Sequence, residues 1–181
     1  MKTVAVVGSR NPQGRTAQAV NAFCQSAAKE ASSVDIFMLP SMKIERCRQC
    51  DNQGWGTCRF EGRCCIDDDI HQIIDAIAEA DLVLFATPVY WGDLSESLRA
   101  LTDRLRRIST NEKGTTKFAG KKAIGICVAG GGGGGAPECG ASLIKPLLTT
   151  GFDVVDMVLA RRQNLESKCK YLAARAVEPA K

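Results

Sequence analysis

The chain has 181 residues, 45% of them apolar, and a formal charge of +4 from 24 basic and 20 acidic side chains, which suits one globular domain with a sizeable core. The basic residues are dispersed rather than gathered into an arm or stripe, so nothing favours nucleic-acid binding. The opening MKTVAVVGSR holds one short apolar run and no later run approaches bilayer length, so neither a signal peptide nor a membrane partner is expected and the reading is cytoplasmic.

Residues 3–7 form an unbroken β-rich apolar run ending at Gly8, the pattern of a parallel strand buried on both faces. Ala17, Val20, Ala22, Phe23, Ala27 and Ala28 then recur at helical spacing, predicting a helix over 15–30. The alternation continues with strand 34–39, helix 70–80, strand 82–87, helix 94–108, strand 123–129, helix 141–149, strand 154–159 and a last helix starting near Asn164. Five strands alternating with helices predict an α/β fold whose parallel sheet is covered on both faces, with strand order 2-1-3-4-5. A single domain over 1–181 is expected, interrupted by a cysteine-rich insertion at about 40–67. A loop that long in a compact domain points to function.

Ligands of open parallel sheets sit beyond the carboxyl ends of the strands, and three loops leaving such ends have unusual chemistry. After the first strand, Gly8, Ser9, Arg10, Gly14, Arg15 and Thr16 combine hydroxyls, flexible backbone and cations at a helix start, which suits a phosphate dianion. Neither a Walker loop nor GxGxxG is present. After the third strand come Thr87, Pro88, Val89, Tyr90, Trp91 and Gly92, a stiff exit followed by flat aromatic surface where a planar heteroaromatic ring can stack. After the fourth strand lies a run of six glycines, 130–135, of which Gly130, Gly131 and Gly132 are expected to pass close to that ring.

Of nine cysteines, Cys24, Cys127, Cys139 and Cys169 are scattered and read as packing thiols. Cys47, Cys50, Cys58, Cys64 and Cys65 fall within nineteen residues, with the first four spaced Cys-x2-Cys-x7-Cys-x5-Cys. Thiolates are soft ligands for iron–sulfur clusters or zinc, and a redox or structural thiol set is the other reading. His71, the only histidine, follows Asp67, Asp68 and Asp69, which read as acids complementing a helix start. The run from Arg104 to Arg107 reads as a solvated helix face, with contact to a phosphate or a neighbouring subunit the other reading.

Taken together, these segments resemble the flavodoxin-like NADPH-dependent FMN reductase superfamily, and within it the iron–sulfur flavoproteins. The resemblance rests on the Gly8-Ser9 to Gly14-Arg15-Thr16 loop, on Glu79-Ala80-Asp81 followed by Thr87 to Gly92, and on Leu98, Asp103 and Arg104. It implies that Ser9, Arg10, Arg15 and Thr16 hold the FMN phosphate, that Pro88 to Gly92 line the isoalloxazine, and that Gly130 to Gly132 contact its other side. The iron–sulfur branch carries a compact cysteine motif at this place before a helix start like Asp68-Asp69-Ile70. The resemblance implies a [4Fe–4S] cluster on Cys47, Cys50, Cys58 and Cys64; counting back from those acids makes Cys64 rather than Cys65 the fourth ligand, with Cys65 a spare thiol or a substitute ligand, and here seven residues rather than two separate the second and third cysteines.

The function expected is an FMN-dependent oxidoreductase or electron-transfer flavoprotein, its chemistry on the flavin with no catalytic side chain. Ferredoxin or another carrier would be its partner, in a homodimer or homotetramer. An NAD(P)H-dependent FMN or quinone reductase with structural cysteines, and a non-enzymatic zinc- or thiol-binding module on the same scaffold, are the rival readings.

Overall fold

The computed structural model describes residues 1–27 and 33–177. Strands β1 (Lys2–Val7), β2 (Ser33–Met38), β3 (Leu82–Pro88), β4 (Lys122–Ala129) and β5 (Asp153–Arg161) form one sheet in the order β2-β1-β3-β4-β5. All four pairings are parallel, as the alternation of elements predicts. The flavodoxin-like order puts β1, β3 and β4 in the middle, where apolar runs buried on both faces belong. The edge strands β2 and β5 are more exposed.

Seven helices are described: α1 (Arg15–Ala27), α2 (Thr57–Glu61), α3 (Ile70–Glu79), α4 (Glu96–Ile108), α5 (Glu112–Thr115), α6 (Ala136–Thr150) and α7 (Leu165–Val177). Successive strand residues point to opposite faces, so the core divides in two. Val4, Val6, Val83 and Phe85 pack under Ile73 and Ile77 of α3, Leu98, Leu101 and Leu105 of α4, and Leu143 of α6. On the other face Ala5, Val7, Leu84 and Ile126 meet Val20 and Phe23 of α1 and Leu165 of α7.

One helix start differs from expectation, and three short elements go beyond it. The part of the first helix expected over 28–30 lies outside the described residues. Helix α6 starts at Ala136 rather than at 141, because Gly135 takes the left-handed conformation (φ 78°) as its N-cap and a proline sits in the first turn, where a missing N–H costs nothing. Helices α2 and α5 and a 3-10 turn, Leu39–Ser41, have five, four and three residues, too few to show a period. Among the described residues no helix is long and apolar enough to cross a membrane.

Candidate functional site

Parallel strands bring the loops after β1, β3 and β4 to one edge of the sheet. The first is shaped by Asn11, whose Oδ1 accepts from Gln13 N (2.9 Å) and whose carbonyl accepts from Gly14 N (3.0 Å), an Asx turn that delivers the chain into α1. Ser9 and Thr16 are buried. Arg10 is exposed, with Glu96 at 3.6 Å. The loop is pressed against the start of α4: a Cβ on Gly8 would stand 2.2 Å from Ser95 Oγ.

After β3 the chain makes a two-residue hairpin, Tyr90 N donating to Asp93 O (3.0 Å) and Asp93 N to Tyr90 O (2.9 Å). Trp91 and Gly92 at its tip have φ of 53° and 75°, the mirror-image turn that suits Asn-Gly better than Trp-Gly. Trp91 is fully exposed and Tyr90 more than half so. Thr87 is fully buried and its hydroxyl is committed within the chain, donating to Pro88 O (2.8 Å) and accepting from Ser95 N (3.0 Å). Ser95 in turn caps α4, its Oγ accepting from Leu98 N.

A cleft of 860 Å³ joins the first two loops, with Arg10 and Tyr90 on its rim, Met42, Ile44 and Arg46 along one wall and Leu94 on another. Its size and mixed lining are those of a cofactor site. Arg15 and Gly14 face elsewhere, into a 620 Å³ cleft shared with Arg162 and Glu166, so the loop after β1 stands between two hollows. The glycine run lines neither: Gly132 and Gly133 border a 250 Å³ hollow beside Arg161 and Lys168. A Cβ on Gly130, Gly131 or Gly132 would meet nothing within 4 Å. Gly135, against Gly92, ties this loop to the hairpin.

The five clustered cysteines converge. From Met42 the chain runs without helix or strand to Cys50, with Gln49 left-handed (φ 51°), and turns at Asp51, whose Oδ1 accepts from Gln53 N and Trp55 N (both 2.8 Å). It then forms α2 and returns through Cys64 and Cys65. Cys47, Cys50, Cys58, Cys64 and Cys65 all line one cavity with Trp55, Arg104 and Arg107. Cys50 Sγ lies 3.4 Å from Cys65 Sγ. That contact, burial and the neighbouring thiols push the Cys50 thiol up to about 11.

The cavity is closed by α4. Arg104, expected on a solvated face, is 1% exposed instead, because position 104 falls on the same stripe as Leu101, Leu105 and Ile108. Its guanidinium grips Asp68 with both nitrogens (2.5 and 2.9 Å), donates to Glu45 O (3.1 Å) and donates to Cys64 Sγ (3.3 Å). Burial works to raise the Asp68 carboxyl, but the Arg104 hydrogen bonds and the Glu45 amide outweigh it and hold the group below the ordinary carboxylate range. Asp68 and Asp69 thereby serve the cysteine segment more than the helix start, accepting from Glu45 N (2.8 Å) and Lys43 N (2.7 Å). His71 Nε2 lies 3.2 Å from Ile66 O. Arg107 stacks on Trp55, 4.4 Å from the ring centroid.

The donor set fits a thiophilic metal centre: five soft sulfurs bounded by two guanidinium groups, each with a buried Nε–H that has no partner among the described residues. The sulfurs are drawn in, leaving 10 Å³ of free volume, and among the described residues no three are disposed as ligands of one ion. Residues 42–50 and α4 form walls of both hollows, Ile44 and Ser95 facing the large cleft and Cys47 and Arg104 the thiol cavity.

A family model described as NADPH-dependent FMN reductase matches residues 1–161. The chain belongs to that family. An iron–sulfur flavoprotein of Methanocaldococcus jannaschii is 30% identical over 131 residues, 72% of this chain and 65% of the relative. An iron–sulfur flavoprotein of Methanosarcina thermophila is 29% identical over 135 residues, 73% of this chain and 64% of the relative. The chain thus matches less than two thirds of the length of these two relatives. An NAD(P)H:quinone oxidoreductase from Methanothermobacter marburgensis superposes with a TM-score of 0.71 at 15% identity, covering 100% of this chain and 98% of the other, a likeness of fold.

The sequence reading of this FMN reductase family member missed Met42, Ile44 and Arg46 as cleft residues and Arg104 as a partner of the thiols. A signal for Arg104 existed: an arginine on the apolar stripe of an amphipathic helix must be buried, and a buried cation needs an anion.

Proposed function

We propose that this chain is an FMN-dependent oxidoreductase that also holds a cysteine-ligated metal centre, a [4Fe–4S] cluster at Cys47, Cys50, Cys58 and Cys64. The observation that carries the reading is the pair of walls shared by the 860 Å³ cleft and the thiol cavity; two hollows so joined would let two redox groups share one chain. The names of the iron–sulfur flavoprotein relatives support it.

Bound FMN supplies two-electron chemistry and a cluster one-electron transfer, so the side chains need only bind, orient and shield. Arg10 and the backbone amides after Ser9 offer donors to a phosphate, Tyr90 and Trp91 offer aromatic surface, and Met42, Ile44 and Leu94 exclude water. Arg15 and Gly130 to Gly132, which the resemblance assigns to the flavin, do not line this cleft. An exposed Trp91 at the hairpin tip, next to Tyr90 of the cleft, also suits cover by a second copy in a homodimer or homotetramer.

Protein purified without oxygen is the test: its absorption spectrum, with FMN, iron, zinc and sulfide per chain, reads both cofactors at once. About one FMN with four iron and four sulfide supports the proposal; zinc without sulfide, or no metal, overturns its cluster part. The tightness of the thiol cavity favours a second reading, an NAD(P)H-dependent FMN or quinone reductase with structural cysteines. Rapid turnover by NADPH in metal-free protein, with none by reduced ferredoxin, selects it.

A further inference from the structure

We propose that Arg104 is a positioning residue of the thiol site, holding Cys64 through an N–H···S hydrogen bond, offering a further N–H to the sulfurs of a bound centre, and so raising that centre's reduction potential. The proposal rests on the metal-centre reading above.

A guanidinium has five donors, and four are accounted for. Nη1 serves Asp68 and Glu45 O, and Nη2 serves Asp68 and Cys64 Sγ. The fifth, Nε–H, is buried without a partner among the described residues, in the wall of a cavity lined by five cysteines. A packing role needs no cation at this position on α4, where a leucine would complete the stripe. An ion pair with Asp68 alone needs no contact with sulfur. The arrangement instead fixes the guanidinium from behind, through Asp68 and the Glu45 carbonyl, gives Nη2 to Cys64 and leaves Nε–H unpaired in the cavity wall. Arg107 repeats the pattern more weakly, with its own unpaired Nε in the same wall.

The chemical consequence follows from charge. Reduction adds one electron to a thiolate-bound centre, and that charge spreads onto its sulfurs, so N–H donors there stabilise the reduced form more than the oxidised one. Arg104 also holds Cys64 in place before metal arrives, which favours assembly. Lysine cannot span Asp68 and Cys64 together, so Arg104→Lys keeps the charge and removes the bond to sulfur.

The experiment compares wild type, Arg104→Lys and Arg104→Gln after anaerobic reconstitution with ferrous iron and sulfide. Flavin content and far-UV circular dichroism report the fold, iron and sulfide analysis reports loading, and a redox titration followed by electron paramagnetic resonance reports the potential. In variants that keep flavin and fold, the reduced-to-oxidised ratio at a fixed potential falls about tenfold, roughly 59 mV for a one-electron couple, or iron is lost outright; either supports the proposal. Unchanged loading and potential in both variants overturn it while leaving the metal-centre reading intact. Wild type that retains neither iron nor sulfide overturns both. If the variants do not fold, pulsed resonance on reduced wild type labelled with 15N-arginine decides: a weak nitrogen coupling supports the assignment, and its absence overturns it.

Discussion

Gly135 and Gly92 meet backbone to backbone: a Cβ on Gly135 would stand 2.9 Å from Gly92 Cα and 3.0 Å from its nitrogen. Each has a positive φ, 78° and 75°, so the loops after β3 and β4 are joined where neither tolerates a side chain. Gly135→Ala is expected to cost about 1–3 kcal/mol and to weaken FMN binding by loosening the hairpin. Urea unfolding and flavin fluorescence titration measure the two effects.

Asp68→Asn leaves Arg104 buried without its counter-charge and is expected to destabilise the fold by about 3–5 kcal/mol. The pH dependence has a definite sign. The folded Asp68 carboxyl lies below its ordinary value of 3.8, so its stabilisation is complete above 3.8 and is lost as the pH falls through the lower folded value. Denaturation curves at stepped acidic pH are therefore expected to show the gap between wild type and Asp68→Asn narrowing below 3.8 and constant near neutrality.

Trp91 holds a left-handed conformation that favours glycine or asparagine. Trp91→Asn is expected to stabilise the protein by about 1 kcal/mol while weakening FMN binding about tenfold, since an aromatic contact of about 1.5 kcal/mol is removed. Thermal melts of the FMN-free protein and FMN titration should move in opposite directions. A stabilised variant with undiminished flavin affinity would show that the indole serves something other than the ring.

The neighbours Cys64 and Cys65 differ in their surroundings. Cys64 is held by Arg104, and Cys65 touches Cys50. Cys64→Ser is expected to lose iron and Cys65→Ser to retain it in full, checked by metal analysis after anaerobic purification. The reverse pattern would make Cys65 the fourth ligand.

The central strands were legible because β1, β3 and β4 carry apolar residues on both faces, and the alternation with helices left one topology favoured. The start of α6 was not, since Gly135, Pro137 and Gly140 imitate a loop until the N-cap conformation is seen. In the site, spacing marked the cysteines as a group but could not show that Cys50 meets Cys65 across fifteen residues of chain. Nor could local pattern pair Arg104 with Asp68, thirty-six residues earlier; such a partnership is a product of packing. The separation of Gly130 to Gly132 from the large cleft likewise depends on which way the loop leaves β4.

Helix α4 begins at the Ser95 cap beside the 860 Å³ cleft and carries Arg104 nine residues on, about 14 Å along its axis, to the thiol cavity. On the proposed function, one rod would therefore border two binding events. Linkage would make any coupling through it symmetric: the factor by which FMN tightened metal uptake would be the factor by which the loaded thiol site tightened FMN.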